Sequence, residues 1–123
     1  MLRGFETVGL DPVRMGLGPV EAIRSLWQQF SLSDKDIDLY EINEAFAGQV
    51  LAVMQSLNLQ HDRVNVNGGA VALGHPLGAS GCRLIVTLTH EMARRGSQRG
   101  IAALCIGGGM GIAALVETTH NTH

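Results

Sequence analysis

The chain has 123 residues, of which 46% are hydrophobic and 16% charged, and this composition excludes an intrinsically disordered protein. Its two cysteines exclude a disulfide-rich scaffold, and its net charge of −2 gives no support for binding to nucleic acid. The length suits one domain of ordinary size. We place that domain at residues 1–117 and a polar tail at residues 118–123.

The amino terminus lacks the charged segment and apolar run of a secretory signal, so we expect a cytoplasmic protein. Cys82 and Cys105 are then expected to be reduced and free. The longest uncharged apolar run covers residues 101–116 and contains four glycines. It is shorter than the ~20 residues that a membrane helix needs, so we expect no membrane span.

The first half of the chain predicts two strands and two helices. A mixed run at residues 2–9 ends before Asp11-Pro12 and is typical of a strand followed by a turn. Gly18-Pro19 predicts a helix start, because proline suits the first helical turn. Alternating residues at 37–42 predict a half-buried strand, and Asn43 is then the expected N-cap of a second helix.

The second half predicts a short strand at Val64–Val66, a helix and two further strands. The helix starts near Ala79-Ser80 and ends at Arg94-Arg95-Gly96. The apolar runs at residues 101–106 and 112–117 predict two central strands that are buried on both faces. The apolar stripe expected on the helix consists of Cys82, Ile85, Val86, Thr89, Met92 and Ala93, widened by Leu84 and Leu88.

The element order β-α-β-α-β-α-β-β predicts a three-layer α/β domain. Helical crossovers between successive strands favour parallel pairing, and the final hairpin adds an antiparallel strand. We therefore expect a mixed, mostly parallel sheet of five strands.

Three segments with chemically useful residues each follow a predicted strand, where open α/β sheets bind their ligands. Residues 43–46 read Asn-Glu-Ala-Phe, which is also typical of a helix cap. His75 lies before Pro76 in a glycine-rich stretch, and composition leaves structural and catalytic roles equally open. Cys105 precedes three glycines; it suits a small buried hydrophobic residue, or a thiol beside backbone N–H groups that face a developing oxyanion. The spacing fits neither a nucleotide-binding loop nor a metal site.

Together these segments resemble the thiolases, the acyl-CoA C-acyltransferases. The resemblance covers residues 2–117 and corresponds to the C-terminal half of that family's repeated fold. It rests on Asn-Glu-Ala-Phe, on the Gly-His-Pro segment and on Cys-Ile-Gly-Gly-Gly-Met-Gly, whose key residues are 32 and 30 positions apart. It implies acyl transfer between acyl-CoA and acetyl-CoA, by thiolysis of 3-ketoacyl-CoA or by Claisen condensation, in fatty acid metabolism.

The resemblance also implies a role for each matching residue. His75 matches the histidine that activates the nucleophilic cysteine and helps to stabilise the thioester oxyanion. Cys105 matches the acid/base that moves the α-proton. Asn43 matches the asparagine that holds a water in one oxyanion hole, and the Gly107 N–H matches a donor of the second. Phe46 matches an aromatic residue near the pantetheine. Neighbours that favour the Cys105 thiolate are expected, because a free thiol has a pKa of ~8.5. Coenzyme A thioesters are the implied substrates, with neither a cofactor nor a metal.

The nucleophilic cysteine of thiolases belongs to their N-terminal half, which this sequence does not contain. We therefore expect no turnover by this chain alone, and association with an N-terminal half or with further copies of itself. One alternative is a non-catalytic thiolase-like module that binds lipids or a partner, or a truncated remnant. Another is a ketoacyl synthase-like enzyme, which Cys105 opposes because those enzymes typically have a second histidine there.

Overall fold

The computed structural model describes residues 1–119, so residues 120–123 of the predicted tail lie outside the described part of the chain. Its strands and helices follow one another in the order β-α-β-α-α-α-β-β, joined in places by 3₁₀ turns. The strands are β1 (Leu2–Gly9), β2 (Leu39–Ile42), β3 (Arg99–Ile106) and β4 (Met110–Glu117). The helices are α1 (Gly18–Gln29), α2 (Ala47–Leu57), α3 (Ala70–Leu73) and α4 (Ser80–Arg95), and the 3₁₀ turns are Pro12–Leu17, Asp34–Asp36 and His61–Arg63.

The strands form one mixed sheet in the order β1-β4-β3-β2. β4 pairs antiparallel with both β1 and β3, and only β2 and β3 are parallel. The α/β class and the mixed sheet are confirmed, and so are the central positions of β3 and β4. The prediction of a mostly parallel sheet is wrong, because β1 pairs with the last strand of the chain rather than with β2.

The fifth predicted strand, Val64–Val66, is reduced to isolated bridges, one of which joins Val64 to Tyr40. Asn65 has a φ of +48°, which interrupts an extended chain. Its side-chain amide bonds to the backbone N–H and C=O of Ile42 instead, at 2.8 Å each. A side chain therefore takes the place of the neighbouring strand, and the sheet has four strands among the described residues.

Helices cover both faces of the sheet, which gives the three predicted layers. β2 is consequently buried at all four residues, not half-buried as its alternating sequence suggests. One core lies under α1 and α2 and includes Ile23, Leu26, Val53, Tyr40, Ile42, Ile101, Ala103 and Leu115. The other lies under α4 and consists of Leu39, Leu84, Leu88, Met92, Ala102 and Val116.

α4 lies close to the sheet because β3 has a glycine beneath it. A Cβ at Gly100 would lie 2.7 Å from Leu88 Cδ1 and 2.8 Å from Met92 Sδ. Real Cβ atoms do not approach so closely. Gly100, near the start of β3, thus allows α4 to pack at close distance against the strand.

The predicted ends of α4 are confirmed, since it begins at Ser80 and Gly96 ends it with a φ of +69°. Its predicted apolar stripe is partly wrong. Leu84, Leu88 and Met92 make the sheet contact, whereas Cys82, Val86 and Ala93 are exposed. α4 has two apolar sides, and periodicity alone does not say which one faces the sheet. None of the helices in the described range is long and apolar enough to cross a membrane.

Candidate active site

Asn43 and Cys105 lie at one edge of the sheet. Because β2 and β3 are parallel, their carboxyl ends meet at the same edge. Asn43 follows β2 directly, and its backbone N–H donates to the Ala103 carbonyl at 2.9 Å. Cys105 lies two residues further along β3. Two of the predicted site residues are therefore on adjacent strand ends.

His75 reaches the same edge through α4. Leu88 and Met92 lie over Gly100, at the beginning of β3, so the helix runs back along the strand. Its first residue, Ser80, consequently lies toward the carboxyl end of β3. His75 precedes Ser80 by five residues, and its Nδ1 is 2.6 Å from the Ser80 Oγ.

The His75 loop is exposed but held at two points. Gly74, which ends α3, has a φ of +84°, a conformation that other residues rarely adopt. Its carbonyl accepts a hydrogen bond from the Arg83 Nη1 at 2.8 Å. The Ser80 hydroxyl, which contacts the His75 ring, is buried at the start of α4. An exposed imidazole is thus anchored to the rigid first turn of the helix.

Burial raises the pKa of the half-buried Cys105 thiol above its ordinary value. This shift keeps the thiol protonated at neutral pH, and it is opposite to the thiolate-favouring environment expected from the sequence. Within residues 1–119, desolvation is the dominant effect on this group. The described residues therefore do not provide a net environment that favours the thiolate.

The glycine turn after Cys105 combines an open position with a tightly packed one. Gly107 is exposed, and nothing lies within 4 Å of a Cβ placed there. Gly109 is buried with a φ of +87°, and a Cβ there would lie 2.9 Å from the Pro12 Cα. The Leu10 N–H also donates to the Gly109 carbonyl at 2.8 Å. Gly109 therefore fixes the turn, while Gly107 stays open beside Cys105.

Asn43 is not the N-cap of α2, as the sequence suggested. The helix begins at Ala47, and Phe46 occupies the cap position without a side-chain hydrogen bond. Asn43 is only 1% exposed, yet its Oδ1 has no hydrogen-bond partner among the described residues. Buried polar atoms are normally paired, so this carboxamide is available to a bound water or substrate. Phe46, three residues later in the chain, is 74% exposed.

Glu44 and Asn65 join the segments that carry Asn43 and His75, a connection that sequence reasoning missed. The Glu44 carboxylate accepts from the Asn65 Nδ2 at 3.1 Å and from the Val71 N–H at 3.0 Å. Val71 belongs to α3, which leads to the His75 loop. An acidic side chain suits the N–H groups at the start of a helix, but its partners are 21 and 27 positions away. No local pattern identifies partners at that separation.

No group of three or more His, Cys, Asp or Glu side chains within residues 1–119 is placed to hold a metal ion. The chemistry that the described residues offer is that of an imidazole, a protonated thiol and an unpaired carboxamide. Asn43 and Cys105 lie at the carboxyl edge of the parallel strand pair, and the direction of α4 brings the His75 loop toward the same edge.

The chain is similar to proteins of one family. Residues 1–118 match the family profile described as "Thiolase, C-terminal domain". The chain is 55% identical over 117 residues to an acetyl-CoA acetyltransferase of Chromobacterium violaceum, covering 95% of this chain and 30% of that protein. It is 53% identical over 116 residues to the mitochondrial 3-ketoacyl-CoA thiolase of Homo sapiens, covering 94% of this chain and 29% of that protein.

The fold agrees with these relatives. The crystal structure of human mitochondrial 3-ketoacyl-CoA thiolase in complex with CoA superposes with a TM-score of 0.94 and 52% identity. The superposition covers 96% of this chain and 30% of the human chain. The sequence therefore spans about three tenths of the length of the relatives it matches, and it belongs to the thiolase family, of which it represents the C-terminal domain.

Proposed function

We propose that this chain supplies the C-terminal part of a composite active site for acyl transfer between acyl-CoA and acetyl-CoA. The reaction is thiolysis of a 3-ketoacyl-CoA or the reverse Claisen condensation. The observation that carries the proposal is the placement of Asn43, His75 and Cys105 at one edge of the sheet. The relatives named above are acetyl-CoA acetyltransferases and 3-ketoacyl-CoA thiolases, which supports the same reaction class.

Cys105 moves the proton at the α-carbon of the acetyl group. Its raised pKa keeps the thiol protonated at neutral pH, which suits donation of a proton to that carbon during thiolysis. Condensation requires the reverse transfer to a Cys105 thiolate. A thioester enolate forms in both directions, and hydrogen-bond donors stabilise its oxygen. We assign this stabilisation to the Gly107 N–H, because Gly107 is exposed, is next but one to Cys105, and has open space where a Cβ would lie.

His75 activates the nucleophilic cysteine of the N-terminal part and then helps to bind the thioester oxygen. Asn43 holds a water in the same oxyanion hole, which would satisfy its buried carboxamide. Phe46, exposed after Asn43, contacts the pantetheine and acyl end of the substrate. Each of these roles is given to a residue that is either exposed or without a hydrogen-bond partner among the described residues.

The proposed partner is the N-terminal part of a thiolase, which supplies the nucleophile and most of the coenzyme A contacts. The chain spans only 30% of its relative from C. violaceum, so a large remainder is needed for the family's full length. Large apolar side chains are exposed on the segments that carry the site and on α4. They are Phe46, Val71, Leu73, Leu77 and Val86. Exposed apolar side chains of this size favour burial by another protein surface.

We place the protein in the cytoplasm, because both of its cysteines are free and thiols stay reduced in that compartment.

The test is co-expression of this chain with the N-terminal part of the C. violaceum acetyl-CoA acetyltransferase, assayed by thiolysis of acetoacetyl-CoA. We expect no turnover from the chain alone and activity from the assembled pair. His75→Ala and Cys105→Ala should each lower kcat by about 10²–10⁴-fold. Cys82→Ala is the matched control, since Cys82 is the chain's other free thiol and lies on the exposed side of α4.

Three results would contradict the proposal. One is turnover by the isolated chain at the rate of an intact thiolase. Another is an assembled pair whose activity survives both substitutions. The third is a stable complex of the two parts without activity, which would favour a non-catalytic binding module.

A further inference from the structure

The Ser80 hydroxyl has two polar neighbours at the start of α4. Its Oγ lies 2.6 Å from the His75 Nδ1 and 3.1 Å from the Pro76 carbonyl oxygen. Ser80 is 0% exposed, so bulk water does not compete for these contacts. The Pro76 oxygen also accepts the backbone N–H groups of Ala79 and Ser80, at 2.8 and 2.9 Å. The hydroxyl therefore sits in the first hydrogen-bonded turn of the helix.

The single hydroxyl proton of Ser80 determines which group donates and which accepts in these two hydrogen bonds. A serine hydroxyl has one proton to donate, and a carbonyl oxygen can only accept. Both contacts are hydrogen bonds only when Ser80 donates to Pro76 and accepts from a protonated His75 Nδ1. The opposite arrangement would leave two oxygen atoms facing each other at 3.1 Å without a proton between them.

We propose that Ser80 is a positioning residue that holds the neutral His75 ring in the Nδ1–H tautomer and so leaves the Nε2 lone pair free. The catalytic consequence of this tautomer rests on the proposed function. There, Nε2 is the atom that accepts the proton of the nucleophile. Within the described residues, Nε2 has no hydrogen-bond partner that would compete.

The position of Ser80 follows from the packing of α4. The helix is held by Leu84 and Leu88 in the core beneath it, and Gly100 sets its closeness to β3. Arg83, one turn into the helix, holds the Gly74 carbonyl on the other side of His75. The orientation of the ring is thereby tied to the sheet rather than to its exposed loop.

The direct test is the tautomer of His75, measured by ¹⁵N–¹H correlation NMR on the full chain, with the signal assigned through His75→Gln. We expect a protonated Nδ1 and an unprotonated Nε2 in the neutral ring. Ser80→Ala should shift the population toward the Nε2–H form, which predominates in free neutral histidine. Ser56→Ala is the matched control, because the Ser56 hydroxyl donates to the Ala52 carbonyl at 2.7 Å within α2. That control removes the same kind of helix contact without a histidine partner, and it should leave the His75 signal unchanged.

A neutral His75 with its proton on Nε2 in the unsubstituted chain overturns the proposal, whether or not Ser80→Ala folds. An unchanged tautomer in a folded Ser80→Ala variant overturns it as well. This readout needs no catalysis, so it stands apart from the proposed reaction. In the assembled enzyme, Ser80→Ala should lower kcat by about tenfold or more while changing KM by less than about twofold. A kcat equal to that of Ser56→Ala would contradict the positioning role.

Discussion

The Glu44 carboxylate occupies the space that a side chain at residue 69 would need. A Cβ at Gly69 would lie 2.6 Å from both Glu44 oxygens and closer still to Cδ. The φ of Gly69 is −159°, which any residue adopts, so the glycine is required by space and not by backbone conformation. The absent side chain lets Glu44 reach the Val71 N–H and connect the Asn43 segment to α3.

Gly69→Ala should therefore destabilise the chain by about 1–3 kcal/mol, through overpacking and loss of the Glu44 hydrogen bonds. The free energy of unfolding in urea, followed by circular dichroism, measures the effect. Gly48→Ala is the control, because nothing lies within 4 Å of a Cβ at that position in α2. It should be neutral or stabilising by up to about 1 kcal/mol. In a Glu44→Ala background, the cost of Gly69→Ala should fall; an unchanged cost would rule out Glu44 as its cause.

Asn65→Ala should cost about 2–4 kcal/mol. It removes both 2.8 Å bonds to the Ile42 backbone and places alanine at a φ of +48°. Asn65→Gly should recover about 1 kcal/mol, since glycine removes the backbone strain but not the missing amide. Asn58 is the matched position, with a φ of +55° and backbone hydrogen bonds to Gln55 and Met54. Urea titrations that give Asn58→Ala and Asn65→Ala the same cost would contradict the role of the Asn65 amide.

Cys105 should react with iodoacetamide more slowly than Cys82 in the isolated chain. Its pKa is raised by burial, so less of it is thiolate at neutral pH, and it is also less exposed than Cys82. The rate for Cys105 should therefore keep rising to a higher pH than that of an ordinary thiol. Mass spectrometry of Cys82→Ser and Cys105→Ser separates the two sites. Faster alkylation of Cys105 at pH 7 would mean that a neighbour favours its thiolate after all.

Glu41 should make the chain less stable as the pH rises from about 4.5 to 7. The side chain is only 4% exposed, and burial raises its pKa from the ordinary 4.5 to about 7. The charges of Glu44 and Glu91 add to this shift, and Arg83 opposes it. In that pH range the folded state binds more protons at this site than the unfolded state, so the stabilising contribution is complete below pH 4.5 and is lost as the pH passes 7.

The measurement is the difference in free energy of unfolding between the unsubstituted chain and Glu41→Gln, taken across this pH range. The difference should fall with rising pH by on the order of 1–3 kcal/mol and become constant above pH 8. Glu21→Gln, which removes a carboxylate at an exposed position on α1, is the matched control. A difference in free energy of unfolding that does not change with pH for Glu41→Gln would contradict the raised pKa of Glu41.

Local chemistry was sufficient to predict several boundaries from the sequence. Gly18-Pro19 marked the start of α1, and Arg94-Arg95-Gly96 marked the end of α4. These signals act within one helical turn, so they do not depend on the rest of the fold. Asn43 is not a cap because its N–H continues the pairing of β2 with β3 by donating to the Ala103 carbonyl, and α2 begins only at Ala47.

The sequence by itself determined the segments to which we assign the chemistry, because Asn43, His75 and Cys105 each belong to a short motif whose residue types can be read locally. Only the tertiary structure decided that β1 pairs with β4, that an Asn65 side chain replaces a strand, and that Glu44 connects the Asn43 segment to α3. The physical reason is range: capping and turn preferences act between neighbours in the chain, whereas strand order and buried hydrogen bonds depend on which distant groups the packed core brings together.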